Sequence, residues 1–128
     1  MERKPMTFGS FIREKRLKTS EELTLRDMSE RLGISLSFLS DIEHGRKKSF
    51  EPDKIEIFAE IVNLTPEEKN LMYDLAARDT GAIPSDIENL MMYSEIGDIA
   101  RFAMRKSVKG EITIEEWKKL IQEKEERD

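Results

Sequence analysis

Apolar residues recur along this chain at intervals of three and four, which is the spacing of helices that bury one face. Residues 8–18 show the pattern first, with Phe8, Phe11 and Ile12 on one side. Four later stretches repeat it, at Leu25, Met28 and Leu32, at Leu39 and Ile42, at Ile55, Phe58, Ala59 and Val62, and at Leu71, Leu75 and Ala76. The sequence therefore predicts an all-α fold with five helices in the first 80 residues.

Two of these helices are short and closely linked. Thr24 can cap the first of them, with Asp27 at the third helical position. Gly33 permits the positive φ that a sharp exit from a helix requires, and Ser35 can then cap a second helix that ends at Gly45. Two short helices joined by a tight turn that contains glycine are the pattern of a helix-turn-helix.

Further helix starts are marked in the same way. Pro52 suits the first turn of the fourth helix, and Thr65 with Glu68 forms a capping box at the start of the fifth. After a break at residues 81–84, capping residues are found at Ser85 with Glu88, at Ser94, and at Thr113 with Glu116. Residues 123–128 are expected to fray. We therefore divide the chain into a domain of residues 1–80 and a helical segment of residues 81–128, which is too short to bury much apolar surface alone.

Charge is distributed unevenly between the two halves of the chain. The net charge is −5, but residues 1–50 hold 11 Lys and Arg against 8 Asp and Glu, whereas residues 51–128 hold 11 against 19. The basic excess therefore accompanies the helix-turn-helix, as a polyanionic partner requires. The chain has no cysteine, which fits a reducing cytoplasm. We expect no secretory signal in the short, charged residues 1–6 and no membrane span.

The motif resembles the DNA-binding domain of the XRE family, the phage lambda repressor and Cro-like proteins. The resemblance extends from Phe8 to about Ala77. It rests on the family positions filled by Met28, Ser29, Leu32, Gly33, Ile34, Ser35, Leu39, Ile42, Glu43 and Gly45. It implies a five-helix lambda-repressor-like domain, followed here by a small helical C-terminal extension. It also implies binding to double-stranded DNA, with the second helix of the motif, the recognition helix, in the major groove.

Candidate DNA contacts follow from the same resemblance. The base-reading positions are Leu36, Ser37, Ser40 and Asp41, a set that lacks the long side chains of bidentate base contacts. Leu36 offers only apolar contact or packs over the turn, while Asp41 is either a cytosine reader or a solvated or salt-bridged surface acid. The unpaired amides at the start of the motif's first helix suggest an anion site. The candidate phosphate-binding residues are Thr24, Arg26, His44, Arg46, Lys47 and Lys48.

Two further sets are assigned structural or assembly roles. The resemblance implies that Arg16 on the first helix pairs with Glu43 on the recognition helix and holds that helix at its angle. The apolar residues of the segment 81–128 need a partner surface, supplied by a second copy of the chain or by the DNA-binding domain. The candidate contacts for a dimer or partner are Leu90, Met91, Tyr93, Ile96, Ile99 and Trp117.

These features favour a transcriptional regulator, most simply a repressor that binds an inverted-repeat operator as a homodimer. The alternative is a protein-interaction module whose acidic C-terminal segment binds a partner protein, as in antitoxins that carry this domain. Enzymatic activity is not expected, because the only histidine is His44 and the sequence has no cysteine and no Gly-rich phosphate loop. No cofactor and no metal site is expected either.

Overall fold

The computed structural model describes residues 6–127, and over that range it contains eight α-helices and no strand. The all-α prediction is therefore confirmed for these residues. The helices are α1 (Phe8–Leu17), α2 (Leu25–Leu32), α3 (Leu36–Glu43), α4 (Pro52–Ile61), α5 (Pro66–Thr80), α6 (Glu88–Tyr93), α7 (Glu95–Val108) and α8 (Ile114–Arg127). The chain forms two compact units that divide between Asp86 and Ile87, whereas the sequence suggested a division at residue 80. The intervening residues 81–87 contain no helix, and the first six of them belong to the first unit.

Helices α1 to α5 of the first unit enclose one hydrophobic core. Its fully buried large side chains come from all five helices and are Phe8, Phe11, Ile12, Met28, Leu32, Leu39, Ile42, Phe58, Met72 and Leu75. An ion pair between Lys15 and Glu68 joins α1 to α5 at the surface. Because α2 and α3 each contribute buried residues to this shared core, the position of the helix-turn-helix is fixed by the whole unit.

The local signals of the helix-turn-helix are present as predicted. The reciprocal capping boxes expected at the starts of α2 and α5 both form, and Ser35 caps α3. Gly33 leaves α2 with a φ of 70°, which a glycine adopts without strain. Helix α3 ends at Glu43, and Gly45 follows it with a φ of 80°. The two helices are therefore held by side-chain and glycine caps at their ends as well as by core packing.

One expectation about α5 is wrong. Leu71 was expected to be buried, but 38% of its surface is exposed. The buried face of α5 is centred on Met72 and Ala76, and Leu71 lies at the edge of that face. Leu75, which the sequence also placed inside, is buried.

Helices α6, α7 and α8 form the second unit. Ser94 caps α7 by accepting a hydrogen bond from the Gly97 amide at 3.0 Å, and Thr113 and Glu116 form the capping box predicted at the start of α8. Trp117 on α8 donates its Nε1–H to Ser107 on α7 at 2.7 Å. Among the described residues from 87 onward only Gly97 is buried, so this unit has no enclosed core of its own.

Two expectations about the second unit are wrong. Ser85 does not cap α6, because residues 85–87 form a turn and the helix begins only at Glu88, with Ile87 as its N-cap. Residues 123–127 do not fray but continue α8, and Asp128 lies outside the described residues. The last turn is supported by a hydrogen bond from Gln122 to Glu126, four residues apart on the helix.

None of the helices built from residues 6–127 has the length and apolar character that crossing a bilayer requires.

Candidate nucleic-acid interface

The recognition helix α3 presents one side to the core and the other to solvent. Leu39 and Ile42 are completely buried on the inner side. The four predicted base-reading positions all keep solvent exposure: Ser37 is exposed, and Leu36, Ser40 and Asp41 are half-buried. This outer side therefore offers two hydroxyls, one apolar group and one carboxylate to a ligand.

Arg16 and Glu43 form the contact that orients α3. The Arg16 Nε and Nη2 donate to the two Glu43 carboxylate oxygens at 2.8 and 2.9 Å, and Nη1 donates to the Leu23 carbonyl at 2.9 Å. Both side chains are nearly inaccessible, at 8% and 1% exposure. Hydrogen bonding to Glu43 raises the pKa of Arg16 and outweighs the opposing effect of burial. This guanidinium thus connects α1, the loop before α2, and α3.

Two residues that support α3 and the chain after it were not found from the sequence. Gly9 on α1 is buried against α3, and a Cβ at this position would lie 2.1 Å from the Ile42 carbonyl oxygen. Phe50 is 4% exposed and its ring lies 5.1 Å from that of Phe8, nearly perpendicular to it. An aromatic residue at the end of a polar run was the available signal for Phe50. The sequence holds no local signal for Gly9, because a glycine is required there by a contact with Ile42, which is 33 residues away along the chain.

The chain after α3 carries the basic rim, which we define as Arg46, Lys47 and Lys48. All three residues are exposed. Among the described residues neither lysine forms an ion pair, whereas the Arg46 Nε donates to the Asp41 Oδ1 at 2.8 Å. Asp41 thus forms a surface salt bridge, and a contact between Asp41 and a base stays a prediction.

The basic rim lies near the start of α1. Lys47 and Lys48 line a cavity of about 220 Å³ together with Thr7, the N-cap of α1, and with Asp79. The Thr7 and Ser10 side chains accept from the Ser10 and Thr7 amides, but the first turn of α1 holds no acidic residue, so no carboxylate offsets the positive partial charge of this helix end. Two ammonium groups and a helix N-terminus therefore lie on the same side of the unit, opposed there by the single carboxylate of Asp79.

The predicted phosphate contacts at the start of α2 are less favourable than the sequence suggested. The Thr24 hydroxyl accepts from the Asp27 amide at 3.1 Å, and the Thr24 amide donates to the Asp27 carboxylate at 3.1 Å. Hydrogen bonds from the Thr24 amide, and then from the Thr24 hydroxyl, to the Asp27 carboxylate lower the pKa of Asp27, so a negative charge stays at the start of α2, where an anion was expected. Arg26 is exposed and has no ion-pair partner within residues 6–127.

His44 follows α3 and is exposed. Its Nδ1 lies 2.7 Å from the Ser40 carbonyl oxygen, to which it must donate because a carbonyl can only accept. Among residues 6–127 the Nε2 has no hydrogen-bond partner, so it is the ring nitrogen that remains available to a ligand.

The candidate dimer contacts lie in the second unit. Leu90, Tyr93, Ile96 and Ile99 are exposed by between 49% and 83%, and Met91 and Trp117 are half-buried. An open, apolar groove of about 500 Å³, the α7–α8 groove, lies between helices α7 and α8. Ile96, Ile99 and Trp117 line it. The unit thus brings three of the six residues to one groove.

No group of three or more potential metal ligands occurs among residues 6–127.

Comparison with known proteins gave one match, to the family model described as a helix-turn-helix domain, over residues 7–72. No match was found among curated proteins or among solved structures. The matched segment covers α1 to α4 and the first part of α5, which is just over half of the chain. The chain therefore belongs to the helix-turn-helix domain family.

Proposed function

We propose that this protein is a transcriptional regulator of the XRE type that binds double-stranded DNA sequence-specifically. The observation that carries this proposal is the recognition helix itself. Its outer side is accessible, its inner side is locked by a buried ion pair, and three exposed cations follow it directly. A rigid helix flanked by phosphate-binding groups is what reading the major groove requires.

The reading surface indicates how sequence is recognised. The hydroxyls of Ser37 and Ser40 and the apolar Leu36 can contact base edges, but none of them makes the bidentate contact that gives strong discrimination. Part of the specificity then comes from the shape and deformability of the duplex, which phosphate contacts sense. Binding that depends on phosphate contacts is strongly salt-dependent.

The proposal includes a homodimer on an inverted-repeat operator. One domain reads only a few base pairs, and two domains related by a two-fold axis place their recognition helices about 34 Å apart, one turn of the duplex. The second unit supplies a surface for pairing, since its apolar side chains remain exposed around the α7–α8 groove. A repressor acts by occupying such a site in the cytoplasm, and needs no catalytic group.

The distribution of charge favours pairing with a second copy of the chain over binding of a partner protein that recognises an acidic surface. Residues 87–128 hold 8 Lys and Arg against 10 Asp and Glu, whereas residues 51–86 hold 3 against 9. The acidic excess therefore lies on α4, α5 and the turn after them, and the second unit is nearly neutral. Two nearly neutral surfaces repel each other little. An acidic partner-binding segment, on which the antitoxin-like alternative depends, is not what residues 87–128 provide.

A titration with duplex DNA at several salt concentrations tests the proposal. Alanine at Arg46, Lys47 and Lys48 should weaken binding and reduce the slope of log affinity against log salt by about one unit per lost phosphate contact. The matched control carries alanine at Lys118, Lys119 and Lys124 of α8, which changes the net charge equally but lies in the second unit. Equal effects of the two variants would show that net charge alone, and not the basic rim, drives binding.

A further inference from the structure

Asp41 and Arg46 are joined by the backbone that ends the recognition helix as well as by their side chains. The Gly45 amide donates to the Ile42 carbonyl at 3.1 Å, and the Arg46 amide donates to the Asp41 carbonyl at 2.7 Å. With Gly45 at a φ of 80°, this is the Schellman arrangement of a helix C-terminus. That arrangement brings the side chains of the third-last helical residue and of the second residue past the cap together. Here they are a carboxylate and a guanidinium, with Nε and Oδ1 2.8 Å apart.

The ion pair uses only one part of the Arg46 guanidinium. Asp41 accepts from Nε, and within the described residues neither Nη1 nor Nη2 has a partner. These two nitrogens form the fork that matches two oxygens of one phosphate. Arg46 is 61% exposed at its side chain, while Asp41 is 33% exposed. The less exposed Asp41 carboxylate therefore fixes the Nε of the more exposed Arg46, and the two Nη atoms of Arg46 stay accessible.

We propose that Asp41 is a positioning residue, which reads no base itself and aims the free end of Arg46 at a DNA phosphate beside the recognition helix. The proposal rests on the DNA-binding function and assigns within it one phosphate clamp. It replaces the direct cytosine contact that the position of Asp41 suggested. An arginine fixed in advance loses less side-chain entropy when it binds than a free one does.

The proposal predicts an effect opposite in sign to that of simple electrostatics. Asp41 is negatively charged and lies beside a polyanion, so its removal should strengthen binding if charge alone matters. If Asp41 instead positions Arg46, then Asp41→Asn should weaken binding, although it removes a repulsive charge. The two effects can be separated in the full-length protein.

The experiment measures the affinity of full-length variants for the duplex that the wild-type protein selects, at several salt concentrations. We expect Asp41→Asn and Arg46→Gln each to weaken binding on the order of tenfold and to reduce the salt slope by about one unit. In the double variant the second substitution should add no further loss. Asp41→Glu, which keeps a carboxylate that can hold Arg46, should recover most of the affinity and of the salt slope.

Several results would overturn the positioning role. Equal binding by Asp41→Asn would show that Asp41 does not position Arg46 for the DNA, and tighter binding would show that its charge opposes the DNA. A change of preferred base at one position, with the salt slope unchanged, would show that Asp41 or Arg46 reads a base directly. Independent losses in the double variant would show that the two residues act separately. Failure of the wild-type protein to select any duplex is a different result, since it contradicts the DNA-binding function itself. Thermal melting of each variant identifies any substitution that unfolds the protein. If Asp41→Asn does so, Asp41→Ser takes its place, and it should weaken binding as Arg46→Gln does.

Discussion

Arg16 and Glu43 are joined by two parallel hydrogen bonds, from Nε to Oε2 at 2.8 Å and from Nη2 to Oε1 at 2.9 Å, in a place that water hardly reaches. The planar guanidinium fork fixes both the distance and the angle between α1 and α3, as a lysine could not. A buried charge is tolerated only while its partner is present. The orientation of the recognition helix therefore depends on this pair.

Glu43→Ala should lower the free energy of unfolding by about 3–5 kcal/mol, because it leaves the Arg16 guanidinium buried without its counter-charge. DNA affinity should fall as well, since α3 loses its brace. Chemical denaturation measures the first effect, and titration with duplex DNA measures the second. Unchanged melting of this variant would contradict the importance of the pair.

The matched test replaces both partners. Arg16→Met combined with Glu43→Leu removes both charges and fills the space with apolar groups, so the double variant should be more stable than Glu43→Ala. Its DNA affinity should nevertheless stay below that of the wild-type protein, because two apolar side chains do not define the angle of α3. Full recovery of affinity would mean that packing alone orients the helix.

The stability of the first unit should depend on pH through Glu68. A hydrogen bond from Lys15, and then one from the Thr65 amide, lower the pKa of Glu68 from 4.5 to about 2. A carboxyl group with a lowered pKa in the folded state stabilises the fold above its unfolded pKa, and that contribution is lost as the pH falls to the folded pKa. We expect the melting temperature to fall between about pH 4.5 and pH 2, and to fall less in Glu68→Gln. Glu67→Gln is the control, since it removes a carboxylate from the same first turn of α5 without touching the ion pair. An equal change of the pH profile in both variants would contradict the assignment.

Alanine at Gly9 and at Gly97 should affect different functions. A Cβ would lie 2.1 Å from the Ile42 carbonyl oxygen in the first case and 2.2 Å from the Met91 carbonyl oxygen in the second, so each helix pair must separate. We expect a cost of about 1–3 kcal/mol for each overpacked contact. Gly9→Ala should weaken binding to a single half-site, because it displaces α3. Gly97→Ala should leave half-site binding intact and alter only the mass of the particle in sedimentation. Loss of half-site binding in Gly97→Ala would show that the units do not act separately.

Leu120 and Ile121 provide a matched pair for testing the dimer. They are neighbours on α8 and are 56% and 58% exposed, but only Leu120 lines the α7–α8 groove. If the groove is the dimer surface, Leu120→Asp should give monomers in sedimentation equilibrium because it buries a charge in an apolar contact. Ile121→Asp should remain dimeric. A wild-type protein that sediments as a monomer would refute the dimer outright.

The scaffold of the helix-turn-helix could be predicted from sequence because its signals are local. Thr24, Gly33 and Ser35 each bond to residues three or four positions away, the apolar residues repeat at the same spacing, and each is found in the expected role. The Arg16 and Glu43 contact spans 27 residues and was suggested only by resemblance to a family. Contacts between residues close together in the sequence could therefore be predicted from the residues themselves, whereas the contact between distant residues could not.

The candidate site was less predictable, because its residues have competing partners. Asp41 was predicted to contact a base or to be a surface acid, and only the folded turn after α3 shows that Arg46 reaches its carboxylate. The amides at the start of α2 were predicted to bind an anion, but one of them, the Thr24 amide, already donates to the Asp27 carboxylate of the same helix. In the same way, Ser85 has the residue type of a cap and lies in a turn, since the backbone decides where a helix begins. A residue type predicts what a side chain can do, whereas its neighbours in space determine what it does.

Selection of binding sites from random duplex DNA by the full-length protein tests the central claim most directly. We expect an enriched inverted repeat whose half-sites are centred about 34 Å apart, one turn of the duplex. The basic-rim variant should recover the same repeat with lower yield, since its cations contact phosphates rather than bases. A folded protein that enriches no sequence at all would contradict the account.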